Sequence, residues 1–146
     1  MPDPPDSNRP VTSVIELQSV DSTNNYAMAQ LQKGAARHGT AFYAYSQTEG
    51  RGQRGKTWTA NPGENLILTV VLQPAVLKPG EGFYLSAAIA AGCYDFFKSY
   101  AGSDTSIKWP NDVYWRDRKA GGILIENVIK KGFLDSAIVG IGININ

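Results

Sequence analysis

The sequence predicts a mixed α/β domain of the α+β type, in which helices pack on a largely antiparallel sheet. Segments typical of a strand, a helix, two strands and a second helix come first. Several strands separated by short turns follow, which is the pattern of an antiparallel meander. Hydrophobic residues make up 42% of the chain and charged residues 18%, as in a globular domain. We expect one domain at 13–146, preceded by a flexible tail at 1–12.

Strands are predicted where β-branched and aromatic residues concentrate between turn residues. In the first half of the chain these segments are 13–17, 40–46 and 65–73, and the last is so apolar that we expect it to be buried. In the second half they are "SIKW", "VYW", "AGGILIENVI" and "FLDSAIVGIGINI". Short turns separate them, so neighbouring segments are expected to pair in an antiparallel manner.

Two helices are predicted. The first covers 21–34, because the residues at 21–23 offer N-cap oxygens and Gly34 is suited to end a helix. The second covers 81–100, where apolar residues recur at the spacing of one helix face. We expect the apolar face of this second helix to pack on the sheet.

Composition excludes several classes of function. The formal net charge of +1 argues against a nucleic-acid partner. The chain has one cysteine, Cys93, and one histidine, His38, which excludes an intrachain disulfide and a zinc cluster of Cys and His. Cys93 lies in an apolar run and is interpreted as a small buried hydrophobe. No apolar stretch approaches the length of a membrane span, and we expect a cytoplasmic location with no membrane partner.

The stretch "GRGQRGKT", residues 50–57, matches two nucleotide-binding patterns at once. Both the P-loop and the dinucleotide fingerprint require a helix directly after the glycines. Here Pro62 and Gly63 follow and then a strand, so we reject both interpretations. What remains is a loop with open glycine amides and three cations, suited to closing over an anion. A solvated basic turn is the alternative.

A second unusual stretch is "KWPNDVYWRDRKAGG", residues 108–122. Lys108, Asp112 and Lys119 lie close together near strand ends, and two glycines interrupt the following strand. A carboxylate beside lysines is suited to Mg²⁺ and phosphate oxygens. The alternative is a hairpin whose turn residues have no further role. The third unusual stretch is "GIGININ", residues 140–146, in which glycines and asparagines interrupt a strand.

Taken together, five motifs resemble the catalytic domain of the biotin protein ligases from about Val14 onwards. They are "STN" at 22–24, "QTEGRGQRGKTW" at 47–58, "KWPND" at 108–112, "KAGGILIE" at 119–126 and "GIGINI" at 140–145. The resemblance implies a fold related to class II aminoacyl-tRNA synthetases. It also implies ATP and biotin as substrates, Mg²⁺, and no tightly bound organic cofactor. Biotin would be activated as biotinyl-5′-AMP and transferred to a lysine of a biotin carboxyl-carrier protein, such as the acetyl-CoA carboxylase subunit.

The resemblance also implies roles for individual residues. Lys119, Arg51 and Asp112 would be catalytic, and Asp112 is the candidate either for contact with Mg²⁺ or for managing the proton of the acceptor amine. Biotin would be bound by Ser22, Thr23, Asn24, Gln47, Gly50, Arg51, Gly52, Gln53, Arg54, Lys119, Gly121 and Gly122. ATP would be bound by Arg51, Arg54, Lys56, Trp58, Lys108, Asn111 and Asn144.

Three departures from the family pattern affect these expectations. The sequence has no room before Val14 for the winged-helix DNA-binding domain that some members carry, so we expect neither that domain nor a repressor role. Gln53 stands where the family often has arginine, so we expect weaker retention of anions. The family domain normally continues past the equivalent of Asn146, so we expect an incomplete catalytic domain. A lipoate-type ligase of the same fold and a catalytically incomplete fragment that binds biotin or a nucleotide are the alternatives. The sequence leaves open whether the chain forms a homodimer.

Overall fold

A computed structural model describes residues 13–74 and 77–145, which form a seven-stranded sheet and two α-helices. The predicted tail at 1–12 lies outside the described residues. The strands are β1 (Ser13–Val20), β2 (Thr40–Gln47), β3 (Asn65–Leu72), β4 (Thr105–Lys108), β5 (Asp112–Trp115), β6 (Arg118–Lys130) and β7 (Phe133–Asn144). The helices are α1 (Thr23–Gln32) and α2 (Gly82–Ala101), and short 3₁₀ turns lie at Gln53–Gly55 and Pro79–Glu81.

The strand order is β1-β2-β3-β7-β6-β5-β4. Only the β1–β2 pair is parallel among these neighbours, and the other pairs are antiparallel. The parallel pair follows from the crossover through α1, because two parallel strands cannot be joined by a tight turn. The predicted mixed and largely antiparallel sheet is therefore confirmed.

Helix α1 is shorter than the predicted 21–34 at both ends. Ser22 stays extended as the N-cap, and its Oγ accepts a hydrogen bond from the Asn25 amide at 3.4 Å. At the other end Gly34 adopts a φ of 73°, and the amides of Gly34 and Ala35 return to carbonyls of the last turn at 3.0 and 2.9 Å. These are the bonds of a Schellman motif, in which glycine is favoured because it adopts a positive φ without strain.

The two helices cover opposite faces of the sheet. Ala27 of α1 packs with Phe42, Val71 and Ile138 in one buried cluster. Leu85 and Cys93 of α2 pack in a second cluster that includes Val139. Ile138 and Val139 are neighbours on β7, and successive residues of a strand point to opposite faces. The face that carries α1 is called the α1 face below.

Cys93 is buried among apolar residues, which confirms its interpretation as a core residue. Burial disfavours the thiolate and raises the pKa of the Cys93 thiol to about 11. Neither helix in the described ranges combines the length and hydropathy needed to cross a membrane.

Candidate active site

A small cavity of about 60 Å³ lies on the α1 face, where the start of α1, strands β6 and β7 and the glycine-rich loop meet. Polar and charged side chains line one side of it, and glycines and aliphatic residues line the other. The lining residues are Ser22, Thr23, Asn24, Gln47, Arg51, Gly52, Gln53, Trp58, Ile67, Leu68, Asn111, Asp112, Lys119, Gly122, Ile123, Leu124, Gly140, Ile141 and Gly142. Most of the sequence-predicted site residues are therefore brought together.

The glycine-rich loop folds as a hairpin over this cavity. We call residues 50–58 the basic hairpin. The Trp58 amide donates to Gly50 O at 2.8 Å, and the Gly52 amide donates to Lys56 O at 2.7 Å. The chain then runs to β3 without a helix in the described residues 58–64, which confirms the rejection of the two nucleotide-binding patterns. The expectation of open glycine amides is wrong for Gly52, because its N–H bonds within the hairpin.

The indole of Trp58 rests on a floor made by two glycines. A Cβ atom on Gly142 would lie 2.6 Å from the indole Cε2, and one on Gly122 would lie 3.1 Å from Cζ3. Any larger residue at either position would therefore displace the ring. The indole Nε1 is buried and has no hydrogen-bond partner within the described part of the chain. An unpaired buried N–H costs about 1–3 kcal/mol, so this donor is available to a ligand.

A buried polar network anchors the start of α1 to the sheet. The Thr23 amide donates to Gln47 Oε1 at 2.8 Å. The hydroxyl of Thr69, which is fully buried on β3, lies 2.8 Å from Thr23 Oγ1 and 2.7 Å from Asn24 Oδ1. Asn24 Nδ2 in turn donates to Glu126 Oε2 at 2.9 Å. These bonds fix the polar wall of the cavity before any ligand is present.

Two ion pairs carry the charge of the site. Lys119 Nζ lies 2.9 Å from Asp112 Oδ1 and 5.8 Å from the ring centroid of Trp58. Arg51 Nη2 lies 2.7 Å from Glu126 Oε2. The pKa of the Asp21 carboxyl is lowered, mainly by a hydrogen bond from Asn25 and to a smaller extent by the charge of Arg51. The cavity therefore has two fixed cations whose partners are carboxylates at its edge.

A model of the biotin/lipoate A/B protein ligase family matches residues 16–144. The chain belongs to this family. Curated relatives include the bifunctional ligase/repressor BirA of Escherichia coli, which is 35% identical over 90% of this chain and 40% of its own length. The biotin–[acetyl-CoA-carboxylase] ligases of Mycobacterium tuberculosis and Paracoccus denitrificans are 32% and 36% identical and are covered over 46% and 53% of their lengths. The chain thus spans about half the length of these relatives.

Solved structures of biotin protein ligases share the fold. The enzyme of Leishmania major in complex with biotinyl-5-AMP is 28% identical, with a TM-score of 0.74 over 90% of this chain and 56% of that one. The enzyme of Aquifex aeolicus in complex with biotin and ATP is 33% identical, with a TM-score of 0.73 over 91% of this chain and 52% of that one. This likeness confirms the predicted α+β fold of the biotin ligase type.

Six predicted site residues of this biotin/lipoate ligase domain lie outside the cavity lining. Gly121 differs from Gly122 because it faces the other side of β6, where a Cβ atom would lie 3.0 Å from Gly142 O. Arg54 is exposed at the tip of the basic hairpin, with a φ of 54°. The others are Gly50 at the neck of the hairpin, exposed Lys56, Lys108 beside the Tyr114 ring, and Asn144, whose Nδ2 donates to Lys119 O at 3.5 Å.

Sequence reasoning missed Glu126 and the glycines Gly140 and Gly142 as site residues. The glycine signal was present, since glycine inside an apolar strand often marks a close approach by another group. At Gly140 that group is the side chain of Asn24, which leaves no space for a Cβ atom. Glu126 gave no signal of its own, because its partners are distant in the sequence.

A metal ion bound beside Asp112 would need further ligands from a substrate. Within the described ranges no group of three or more His, Cys, Asp or Glu residues is arranged to hold one. Asp112 is a single carboxylate, with Asn111 Nδ2 at 3.4 Å from its Oδ1. Such a site fits Mg²⁺ only together with phosphate oxygens of a substrate, which is the usual way proteins bind this ion.

Proposed function

We propose that this domain carries the chemistry of a biotin protein ligase. Biotin is activated with ATP to biotinyl-5′-AMP and is then transferred to a lysine of a biotin carboxyl-carrier protein, such as the acetyl-CoA carboxylase subunit. The observation that carries the proposal is the cavity that Lys119, Arg51 and Trp58 line together, with Lys119 Nζ 5.8 Å from the centroid of the Trp58 ring. The names of the relatives and the biotin complexes of the related structures support biotin as the substrate.

The first step joins two anions. A carboxylate oxygen of biotin attacks the α-phosphorus of ATP, a new P–O bond forms, and the bond to pyrophosphate breaks. Two negative groups approach each other only where fixed positive charge offsets their repulsion. Lys119 Nζ is held at the cavity by Asp112 at 2.9 Å, and the Lys119 side chain is 42% exposed, so the ammonium group is both oriented and accessible. Because the substrate carboxylate is the nucleophile, no nucleophilic side chain is required.

The ring system of biotin would lie between the polar wall and the Trp58 indole, which covers the glycine floor. Ser22, Thr23 and Gln47 supply hydrogen-bonding groups, and Trp58 with the aliphatic lining supplies apolar contact. The cavity of about 60 Å³ has room for only a few waters. The basic hairpin must therefore move outward when ligands enter. Its return would shield the reactive adenylate from water.

The second step transfers biotin to the carrier. The lysine amine of the carrier attacks the carbonyl carbon of the mixed anhydride, an amide bond forms, and AMP leaves with the electron pair of the broken C–O bond. The amine must lose a proton. Asp112 is the carboxylate that lines the cavity, and we assign it as the acceptor of that proton. Mg²⁺ that enters on the phosphates of ATP would contact Asp112 in the first step only, where it would offset phosphate charge before the carrier lysine arrives.

The test supplies the purified protein with ATP, Mg²⁺ and either biotin or lipoate, and follows pyrophosphate release and acyl-AMP. We expect biotinyl-AMP with biotin and no product with lipoate. Lipoyl-AMP without biotinyl-AMP would assign the domain to the lipoate branch of its family. Biotin binding by calorimetry without pyrophosphate release would show a binding domain that does not catalyse activation.

Because the reaction consumes ATP, we propose that it takes place in the cytoplasm.

A further inference from the structure

Glu126 joins three parts of the molecule through one carboxylate oxygen. Its Oε2 accepts a hydrogen bond from Asn24 Nδ2 at 2.9 Å and pairs with Arg51 Nη2 at 2.7 Å. Asn24 belongs to α1, Arg51 to the basic hairpin, and Glu126 itself to β6. No other ion pair described in the structure ties the basic hairpin to the sheet.

The carboxylate of Glu126 is oriented from its buried side. The Asn24 amide bonds Glu126 through Nδ2, and its Oδ1 lies 2.7 Å from the hydroxyl of the fully buried Thr69. Asn24 Nδ2 also lies 3.3 Å from Leu124 O on the same strand. The amide therefore cannot turn without losing these bonds. A carboxylate held in this way loses less side-chain freedom when it pairs with an arginine than one on an open surface.

The other arginine–carboxylate pair among the described residues is more exposed than the pair of Arg51 with Glu126. Arg116 Nε lies 2.8 Å from Asp104 Oδ2, but the two side chains are 62% and 50% exposed. The Arg51 and Glu126 side chains are 41% and 29% exposed. Exposed pairs contribute little because water and side-chain entropy oppose them. The pair at the hairpin is the one with a preformed acceptor.

We propose that Glu126 is a positioning residue, which holds the basic hairpin closed over the cavity through its ion pair with Arg51. It lies outside the cavity lining, whereas Arg51 belongs to it, so the carboxylate acts on a ligand through the arginine. Its charge sets how often the hairpin opens and hence how long an adenylate stays bound. The effect on the adenylate rests on the proposed function, but the effect on the hairpin does not.

The test therefore begins without any substrate. Trypsin cleaves after Lys and Arg, so the basic hairpin offers three cleavage sites, of which Arg54 and Lys56 are present in every variant of this test. In Glu126→Gln the charge is lost, while the size of the side chain and one acceptor oxygen are kept. We expect cleavage at these two sites to be about twofold to fivefold faster than in the wild type, as loss of a modest ion pair implies. The matched control Asp104→Asn breaks the exposed pair and should leave the cleavage rate unchanged.

A double variant distinguishes loss of the ion pair between Glu126 and Arg51 from a general destabilisation of the fold. Arg51→Gln alone should accelerate cleavage at Arg54 and Lys56 to the same extent, and adding Glu126→Gln should increase it no further. Additive effects, or no acceleration in either single variant, would overturn the proposal. Arg51 is exposed, so its variant keeps the test intact even if Glu126→Gln disturbs Asn24. With substrates, Glu126→Gln should release biotinyl-AMP faster, by the same factor. If no biotinyl-AMP forms in the wild type, the proposed function fails while the cleavage result still stands.

Discussion

The Nζ atom of Lys119 lies 2.9 Å from Oδ1 of Asp112, across the hairpin of β5 and β6. Lys119 pairs with Tyr114 in this hairpin, and Asp112 lies two residues from Tyr114 on β5, so the two charged residues share one side of the sheet. Lys119 is still 42% exposed, so the pair orients the ammonium group without burying it. A substrate anion can therefore approach a cation whose position is already fixed.

Replacing Lys119 with alanine should lower adenylate formation strongly and leave the fold intact. In the proposed reaction the ammonium group would stabilise charge that develops between the biotin carboxylate and the α-phosphate, and loss of one such preorganised group lowers the rate by about 100-fold or more. The measurement is pyrophosphate release with biotin and ATP, together with circular dichroism of the variant.

Lys130 provides the matched control on the same strand. Its Nζ pairs with Asp135 at 3.2 Å, and it lies outside the cavity lining. Lys130→Ala removes one ion-paired lysine of β6 and should leave pyrophosphate release unchanged. Wild-type rates in Lys119→Ala, or equal losses in both variants, would remove Lys119 from the proposed site.

The two arginines of the basic hairpin should differ in their effects. Arg51 lines the cavity, whereas Arg54 is exposed at the hairpin tip. We expect Arg51→Ala to accelerate release of biotinyl-AMP more than it weakens binding of free biotin, because only the adenylate offers a phosphate to the arginine. Arg54→Ala should change both quantities much less. Dissociation rates and calorimetry check this, and equal effects of the two variants would mean that the hairpin does not close as described.

Gln53 should limit how firmly the site retains the adenylate. It lines the cavity, so an arginine at this position would add a cation within reach of the phosphate. Gln53→Arg should slow release of biotinyl-AMP by about tenfold, the effect of one charge-assisted hydrogen bond. Gln53→Met is the neutral control and should not slow release. An unchanged rate in Gln53→Arg would show that residue 53 does not face the phosphate.

Local patterns were enough to predict most of the fold. The strands and both helices are predictable because their signals lie within short stretches. For α1 these are the N-cap oxygens at 21–23, of which Ser22 forms the cap, and Gly34, which ends the helix with a positive φ. The parallel pairing of β1 with β2 and the central place of β7 between β3 and β6 were not predicted. Both depend on contacts between segments far apart in the chain, for which a single sequence holds no direct signal.

The site was predicted where residue type alone indicates chemistry. Lys119 and Asp112 were found as charged residues near strand ends, and the structure pairs them. Gly121 was assigned to the cavity together with Gly122, although neighbours on a strand face opposite sides. Glu126 was not found, because its role depends on Arg51 and Asn24, which are 75 and 102 residues away. Such partners become visible only when the sheet brings them together.

Adding one methyl group at Gly142 should destabilise the site and disturb Trp58. The new Cβ atom would lie 2.6 Å from the indole Cε2, so the ring must shift. Overpacking of this kind lowers the free energy of unfolding by about 1–3 kcal/mol. Urea unfolding of Gly142→Ala measures the loss. The same Gly142→Ala change should lower the free energy of unfolding by less when it is made in Trp58→Ala, because that variant has no indole for the new methyl group to displace.

Gly92→Ala is the control for the Gly142 prediction. Gly92 lies within α2, and a Cβ atom there would meet no other atom within 4 Å. Alanine is the better helix former by about 1 kcal/mol, so this variant should be as stable as the wild type or more stable. A loss of stability in Gly142→Ala no larger than that in Gly92→Ala would show that the indole does not rest on the glycine floor.

Burial of Cys93 predicts a specific dependence of stability on pH. Burial raises the pKa of the thiol from 9.0 to about 11, so the folded protein holds this proton more tightly than the unfolded chain. The corresponding contribution to stability is complete below pH 9.0 and is lost as the pH rises towards 11, because the unfolded chain ionises first. Cys93→Ala lacks this contribution at every pH. The difference between the urea midpoints of the wild type and Cys93→Ala should therefore narrow between about pH 8 and about pH 10.5. Other groups titrate alike in both proteins and cancel in the difference, so a constant difference over this range would mean that the thiol ionises as readily in the folded protein as in the unfolded chain.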